Sequence, residues 1–172
     1  MANAVTVRYA RVEERQDLEA LQLRASLNNP GNRAALLANP DAIDLPLAQI
    51  VAAQVFIAER DGTVVGFAAV LDRPDGDTEL DGLFVEPSTW RSGIGRTLVD
   101  RCIVYARERA AKAIHVIGNP HALAFYRACG FTEVGTHQTR FGIGILMSKA
   151  ISPAADTLTD RRGPLPPPPS IR

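Results

Sequence analysis

A two-residue turn constrains what this chain can fold into more than any other single feature. The dipeptide Asp61-Gly62 separates two apolar runs, residues 55–60 and 63–71, and this pattern is typical of a β-hairpin. A second turn signal, Pro-Asp-Gly at residues 74–76, leads into a further strand-like run over residues 78–85. Because strands joined by short turns pair antiparallel, we predict three consecutive antiparallel strands in the middle of the chain.

Patterns on either side of this meander predict a single α/β domain over residues 1–151. Helical spacing of apolar residues predicts helices over residues 11–27, in parts of 33–50, from Gly93 onward, and from Pro120 to Cys129. Strand-like runs outside the meander cover residues 5–9, 113–117, 131–136 and 141–148. Gly130 is expected to end the last helix in a left-handed conformation.

The balance of charge argues against a nucleic-acid-binding protein. The chain has 172 residues with 19 basic and 19 acidic side chains, and no run of Lys or Arg supplies a basic patch. Its apolar stretches are far shorter than the ~20 residues that span a bilayer. The first residues show no secretory signal. We therefore expect a soluble, cytoplasmic protein with no nucleic-acid or membrane partner.

The C-terminal segment differs from the rest in composition. Residues 152–172 contain six prolines and no apolar periodicity, which is typical of an extended chain that does not fold alone. We expect a flexible Pro-rich tail, and a docking peptide for an aromatic groove is the alternative.

Neither a disulfide nor a metal site is predicted. Cys102 and Cys129 lie in apolar helical patterns, where a free thiol behaves as a small hydrophobic side chain. The histidines at positions 115, 121 and 137 have no metal-ligand spacing with a carboxylate or a cysteine.

The segment that indicates chemistry is residues 83–96, a predicted strand, a short loop with Gly93 and Gly95, and the start of a helix. Such a junction directs unpaired backbone N–H groups and the positive end of the helix dipole at one point, which suits a phosphate. A dinucleotide fingerprint would need a third glycine near Leu98, and a P-loop would need a lysine after the last glycine. Taken alone, the motif predicts either an anion site or an ordinary tight turn.

A second motif follows the next predicted strand. Residues 119–131 read Asn-Pro-His-Ala-Leu-Ala-Phe-Tyr-Arg-Ala-Cys-Gly-Phe. Together with the Gly93-x-Gly95 loop, this segment resembles the GNAT superfamily of acyl-CoA-dependent N-acyltransferases. The family signature pairs a Gln/Arg-x-x-Gly-x-Gly/Ala loop with a later Asn-x-x-Ala-x-x-Phe-Tyr-x-x-x-Gly-Phe helix. The resemblance covers about residues 5–150 and implies a mixed, mostly antiparallel central sheet flanked by helices.

The resemblance implies acetyl-CoA as co-substrate, bound mainly through backbone N–H groups of the glycine loop. The implied cofactor-binding residues are Leu83, Phe84, Val85, Arg91, Ser92, Gly93, Ile94, Gly95, Arg96 and Asn119. Leu83 and Val85 would offer backbone groups to the acyl carbonyl and the pantetheine arm, and Asn119 would bind the cofactor or cap the helix. In one departure, Trp90 stands where the family usually carries Gln or Arg. This leaves open which of Arg91, Ser92 and Arg96 meets the phosphates.

The resemblance also implies catalytic residues. Tyr126 matches the position whose hydroxyl serves many family members as general acid, and a buried core aromatic is the alternative reading. Glu79 matches a position where some members carry a catalytic glutamate, and Asp81 lies two residues further along the same predicted strand face. The alternative for both carboxylates is a solvated hairpin rim. His121 is a further candidate for the base.

Two functions from different classes remain open at this point. The resemblance implies an enzyme that transfers an acetyl group from acetyl-CoA to a primary amine by direct attack in a ternary complex. The acceptor would be a small-molecule amine, with a cationic one favoured by the acidic strand, or a peptide amine; a homodimer is possible. The competing reading is a non-catalytic acyl-CoA-binding sensor or partner-binding module. Residues 28–53, expected to form much of the acceptor pocket, carry no readable motif.

Overall fold

A computed structural model describes residues 4–153, so the predicted tail lies almost wholly outside the described residues. The strands are β1 Thr6–Tyr9, β2 Val55–Arg60, β3 Thr63–Asp72, β4 Thr78–Val85, β5 Ala113–Gly118, β6 Thr132–Thr139 and β7 Gly142–Ala150. The α-helices are α1 Arg15–Leu27, α2 Arg33–Ala38, α3 Leu47–Val51, α4 Ile94–Glu108 and α5 Leu123–Ala128. Single 3₁₀ turns occupy Val12–Glu14, Pro40–Ala42, Pro87–Thr89 and Pro120–Ala122.

The seven strands form one sheet in the order β1-β2-β3-β4-β5-β7-β6. All neighbouring strands pair antiparallel except β4 and β5, which are parallel. The predicted hairpin between β2 and β3 is confirmed, and Asp61 and Gly62 both have positive φ angles, 52° and 73°, as a tight primed turn requires. The prediction of a mixed, mostly antiparallel sheet flanked by helices is therefore confirmed.

Each face of the sheet has its own apolar core. Helix α4 packs on one face, where Ile94, Leu98, Val99, Cys102 and Ala106 are buried as the helical spacing predicts. The apolar spacing i, i+4, i+5, i+8, i+9 and i+12 from Ile94 predicts that Ile103 is buried as well. Ile103 is only partly buried, and Tyr105 is buried instead. Helices α1 and α3 cover the opposite face through Leu18, Leu21 and Ile50.

The pairing between β4 and β5 is short, and this opens the sheet at its centre. It joins Thr78 to Ile114, Glu79 to His115 and Leu80 to Val116, and it ends there. The second half of β4 therefore has β3 as a neighbour on one side only. A β-bulge directly after Leu80, where the pairing with β5 ends, leaves Asp81 without a partner residue on β3. The bulge shifts the alternation of side chains, so Leu80, Leu83 and Val85 all pack toward α4.

Asp77 links β4 to β5 at the end where the two strands pair. Its Oδ1 accepts the backbone N–H groups of Lys112 and Ala113 at 3.0 Å each, and its Oδ2 lies 2.8 Å from His115 Nε2. The hydrogen bond with His115, followed by those two backbone bonds, lowers the pKa of the Asp77 carboxyl. One side chain thus holds the starts of β4 and β5 together.

Among residues 4–153, no helix is both long enough and apolar enough to cross a membrane. Cys102 and Cys129 are both free and buried, as predicted. Burial raises the pKa of the Cys102 thiol to about 12, so this side chain is an inert part of the core.

We predict that Asp77→Ala lowers the free energy of unfolding by about 1–3 kcal/mol at pH 7, because two backbone N–H groups lose their acceptor. The folded-state pKa of Asp77 is lowered, so its contribution is complete above the unfolded pKa of about 3.9 and is lost as pH falls through the lower folded value. Urea denaturation should therefore show the difference from wild type shrinking below about pH 4. Asp100→Ala, at an exposed position of α4, is the control, and equal effects of the two variants at pH 7 would contradict the assignment.

Candidate active site

The loop before α4 presents a row of free backbone N–H groups. Gly93 has a φ of 84° and Arg91 a φ of 62°, and these left-handed residues turn the chain sharply into the helix. The first hydrogen bond of the helix runs from Thr97 N–H to the Gly93 carbonyl at 3.0 Å. Within residues 4–153, the N–H groups of residues 91–96 have no acceptor. The predicted anion site is therefore present in its geometry.

The end of β4 presents a second set of free backbone groups. The bond from Glu86 N–H to the Val65 carbonyl fixes which β4 residues face β3, so Leu83 and Val85 direct their backbone groups away from β3. These groups face the opening left where the pairing with β5 stops. The Val85 carbonyl accepts the Trp90 indole N–H at 2.8 Å. Within residues 4–153, the N–H groups of both residues and the Leu83 carbonyl have no partner, so they can pair with a ligand.

This hydrogen bond explains the departure at Trp90. A Gln or Arg at this position could direct its side chain toward a ligand. Trp90 instead folds back over the end of β4 and donates its indole N–H to the Val85 carbonyl, while the residue remains 45% exposed.

A large cavity of about 730 Å³ joins these two sets of backbone groups. Of the ten predicted cofactor-binding residues, eight line it: Leu83, Phe84, Val85, Arg91, Gly93, Ile94, Gly95 and Arg96. The other two are Ser92 and Asn119. Ser92 Oγ donates to the Thr89 carbonyl at 2.5 Å and accepts from Arg60, so its side chain is engaged within the loop. Asn119 accepts the His121 N–H at 2.9 Å, which is the cap that the sequence predicts.

Tyr126 lines the large cavity and is also part of the core. The residue is 7% exposed, and its ring contacts Phe125 and Phe131 edge to face, so it is more buried than Phe125. Gly118 makes room for the ring, because a Cβ there would lie 3.2 Å from Tyr126 Cδ2. Burial raises the pKa of Tyr126, which keeps the hydroxyl protonated. No residue of the described range 4–153 forms a hydrogen bond with this hydroxyl, so it is available to a ligand.

A second, smaller cavity of about 490 Å³ lies on the other side of the opening. Both predicted carboxylates, Glu79 and Asp81, line it. Glu79 lies 3.7 Å from Arg73, and Asp81 accepts a hydrogen bond of 3.3 Å from the buried Gln49. Among the described residues that line it, these two carboxylates are the side chains with a formal charge. The small cavity is therefore suited to a cation.

The sequence did not indicate several residues of the small cavity. Several residues between positions 31 and 43 line it, and the tip of the β6–β7 hairpin also contributes Thr139, Phe141, Ile143 and Gly144. Arg140 binds Asp41 at 3.1 Å, which holds this tip against the Pro40–Ala42 turn. No local motif marks these residues, because their role depends on a contact between segments about a hundred residues apart.

The two cavities meet at one place. Four residues line both of them: Ser26 in the last turn of α1, Asn32 just before α2, Phe84 on β4 and His121 before α5. A ligand in the large cavity can therefore meet a ligand in the small cavity at the opening between β4 and β5. Of the predicted catalytic residues, Tyr126 lines the large cavity, and Glu79 and Asp81 line the small one.

Comparisons with known proteins agree with this geometry. The sequence profile of the acetyltransferase (GNAT) family matches residues 19–131, which is more than half of the chain. The chain therefore belongs to the GNAT acetyltransferase family, as the two motifs predict.

Relatives of known type match parts of the chain. The mycothiol acetyltransferase of Thermomonospora curvata is 35% identical over 84 residues, which are 47% of this chain and 28% of that protein. The N-alpha-acetyltransferase RimI of Mycobacterium tuberculosis is 32% identical over 108 residues, which are 61% of this chain and 63% of that protein. The chain thus spans less than two thirds of the length of either relative.

Solved structures share the fold over almost the whole described chain. The crystal structure of the PaiA N-acetyltransferase from Thermoplasma acidophilum, in complex with coenzyme A, has a TM-score of 0.71 and 17% identity. The superposition covers 86% of this chain and 99% of that chain. At this level of identity, the likeness shows the fold alone.

We predict that Gly95→Val abolishes the stabilisation of this protein by acetyl-CoA. A Cβ at position 95 would lie 3.1 Å from Phe125 Cζ, so the larger side chain crowds the entrance of α4 within the large cavity. A ligand at 100 times its Kd adds about 2.7 kcal/mol to the stability of wild type, which thermal denaturation detects.

Gly135→Val is the matched control, because a Cβ at that exposed site on β6 has no atom within 4 Å. The control should retain the thermal shift. A Gly95→Val variant that binds acetyl-CoA as wild type does would contradict the site.

Proposed function

We propose that this protein transfers an acetyl group from acetyl-CoA to a primary amine, by direct attack of the amine in a ternary complex. The observation that carries the proposal is the meeting of two cavities at the opening between β4 and β5. One cavity offers free backbone N–H groups and a neutral tyrosine hydroxyl, and the other offers carboxylates. A thioester and an amine can thus be brought together from opposite sides.

Acetyl-CoA is assigned to the large cavity. Its pyrophosphate would lie against the N–H groups of residues 91–96, with Arg91 and Arg96 lining the same cavity. Its pantetheine arm and acetyl carbonyl would pair with the free backbone groups of Leu83 and Val85, as an added strand pairs with an open edge. This arrangement directs the thioester toward Tyr126.

The acceptor is assigned to the small cavity, and its chemistry follows from the lining. Glu79 and Asp81 favour a cationic amine, such as a small alkylamine in its protonated form. Leu36, Ile43, Phe141 and Ile143 line other parts of the cavity, so they favour an acceptor with an apolar portion. A peptide with a free amino terminus is the second substrate type that such a cavity could take.

The reaction requires no covalent enzyme intermediate. The bound ammonium group first releases one proton to solvent. The neutral amine nitrogen then forms a bond to the acetyl carbon, and the carbon–sulfur bond breaks. The nitrogen loses a second proton and the sulfur gains one, so the products are an amide and CoA with a free thiol. Because burial raises the pKa of Tyr126, complete transfer of its proton to a thiolate is uphill. We therefore assign its hydroxyl to hydrogen bonding with the sulfur as negative charge develops there.

The alternative is a non-catalytic acyl-CoA sensor. Such a protein would need the large cavity but not a second, carboxylate-lined cavity open to the same point. The test is to mix wild-type protein with acetyl-CoA and each of three probes: benzylamine, spermidine and a tetra-alanine peptide with a free amino terminus. We expect CoA release with at least one cationic probe, and binding of acetyl-CoA without any release would favour the sensor.

We predict that Tyr126→Phe lowers kcat by about 10²-fold, a loss typical of removing one hydrogen-bond donor to the charge that develops in the transition state. The ring and its packing remain, so the affinity for acetyl-CoA should change little. Steady-state kinetics with the best of the three probes would measure this, and Phe125→Leu controls for altered packing around the ring. An unchanged kcat, with chemistry as the slow step, would return Tyr126 to a purely structural role.

We predict that Glu79→Gln raises the KM for a cationic amine by about tenfold, because one attractive charge is lost from the small cavity. Asp100→Asn changes a carboxylate at an exposed position of α4, outside both cavities, and should leave the KM unchanged. If both variants behave as wild type toward spermidine, the acidic hairpin is a solvated rim.

A further inference from the structure

We propose that His121 accepts the proton that the attacking amine loses. The inference rests on the proposed function and adds the identity of the base. His121 is the single titratable side chain among the four described residues that line both cavities, the others being Ser26, Asn32 and Phe84. The nitrogen of the amine must stand where the two cavities meet, so a base at this point is within reach of it.

The local structure holds the His121 ring at this point. The Pro120–Ala122 turn is fixed by Asn119, whose Oδ1 accepts the His121 N–H at 2.9 Å. Asn119 Nδ2 donates to Asn32 Oδ1 at 2.9 Å, which ties the turn to the segment after α1. Gly31 in that segment lies against the imidazole, because a Cβ there would be 3.1 Å from His121 Cδ2 and 3.2 Å from Nε2. The ring therefore lies between the turn and residues 31–32.

Both ring nitrogens are free to exchange a proton. Among residues 4–153, neither nitrogen of the His121 imidazole has a hydrogen-bond partner. His115 differs in this respect, since its Nε2 is bound to Asp77 at 2.8 Å. His137 lies exposed on β6 and lines neither cavity. Histidine is also the side chain best suited to take up and release protons near neutral pH.

Glu79 and Asp81 are less well placed than His121 to accept the proton of the amine. Glu79 and Asp81 line the small cavity but not the large one, so they do not border the place assigned to the thioester. Each also has a partner, Arg73 for Glu79 and Gln49 for Asp81. The positions of the carboxylates suit the attraction of a protonated amine into the small cavity, whereas His121 borders the place where the two cavities meet.

The charges and titratable groups around His121 come from several elements. Those that line the two cavities with it are Glu79 and Asp81 from β4, Arg91 and Arg96 around the start of α4, Tyr126 from α5, and Cys129 after it.

The proton that the neutral amine loses on attack passes through His121. The N–H proton moves to a ring nitrogen of neutral His121 as the carbon–nitrogen bond forms, and the imidazolium later releases it to solvent or to the departing thiolate.

The kinetic test uses His121→Gln and His121→Ala with the amine that wild type acetylates fastest among benzylamine, spermidine and the tetra-alanine peptide. We expect kcat to fall by about 10²-fold or more, with the KM for acetyl-CoA unchanged, and the rise of kcat with pH at its acidic limb to disappear. Added imidazole should restore part of the activity of His121→Ala. His137→Gln is the matched control and should match wild type. A fall in kcat with loss of the acidic limb in Glu79→Gln, but not in the His121 variants, would overturn the proposal.

A second measurement separates this inference from the proposed function. Imidazole resonances from ¹³C-labelled histidine would be assigned by their loss in His121→Gln and His137→Gln. Acetyl-CoA alone should shift the His121 resonances and leave those of His137 unchanged. If acetyl-CoA raises the melting temperature without shifting His121, the base assignment is wrong while the cofactor site stands. If acetyl-CoA produces neither effect, the proposed function fails first.

Discussion

The short parallel pairing between β4 and β5 is the constraint on which the rest of this site depends. Three residue pairs join the strands, and Asp77 fastens the beginning of the pairing through three groups on the β5 side. Beyond Leu80 the strands separate, and β4 keeps free backbone groups at Leu83 and Val85. A longer pairing would use those groups within the sheet and leave no opening between the cavities.

Two further features shape and support the part of β4 that borders the opening. The bulge at Asp81 shifts the alternation of side chains along β4, so that Leu83 and Val85 pack toward α4. Phe84 points to the other face, where it packs on Phe67, its neighbour on β3. The bond between Arg24 and Glu86 ties α1 to the end of β4 at 2.8 Å. The open half of β4, which lacks β5 as a neighbour, is thus supported by a helix on each face and by β3 along one edge.

Much of this arrangement could be predicted from the sequence, because it depends on local signals. Asp61-Gly62 specifies the β2–β3 turn, and Gly93 and Gly95 mark the loop where backbone N–H groups collect before α4. The Asn119 cap and the Gly130 terminator bound the helical segment that carries Tyr126. The remaining parts depend on long-range contacts. The bulge at Asp81 has no local signature, and the β6–β7 tip reaches the small cavity only through the contact of Arg140 with Asp41.

The role of Trp90 also depends on contacts that the sequence does not indicate. Its position in the motif indicated a departure from the family pattern, but the bond from its indole to the Val85 carbonyl depends on the way the loop folds over β4. That bond occupies one lone pair of the Val85 carbonyl. In the proposed complex, the pantetheine arm would therefore pair mainly with the Leu83 carbonyl and the N–H groups of Leu83 and Val85.

A crystal structure of the protein with acetyl-CoA is the most direct measurement of the central claim, that the opening between β4 and β5 brings a thioester from one cavity to an amine from the other. We expect pyrophosphate oxygens on the N–H groups of residues 91–96 and a pantetheine arm along Leu83 and Val85. The acetyl group should lie at the junction bordered by Phe84 and His121. An acetyl group that lies outside this junction, or a CoA molecule bound away from the large cavity, would contradict it.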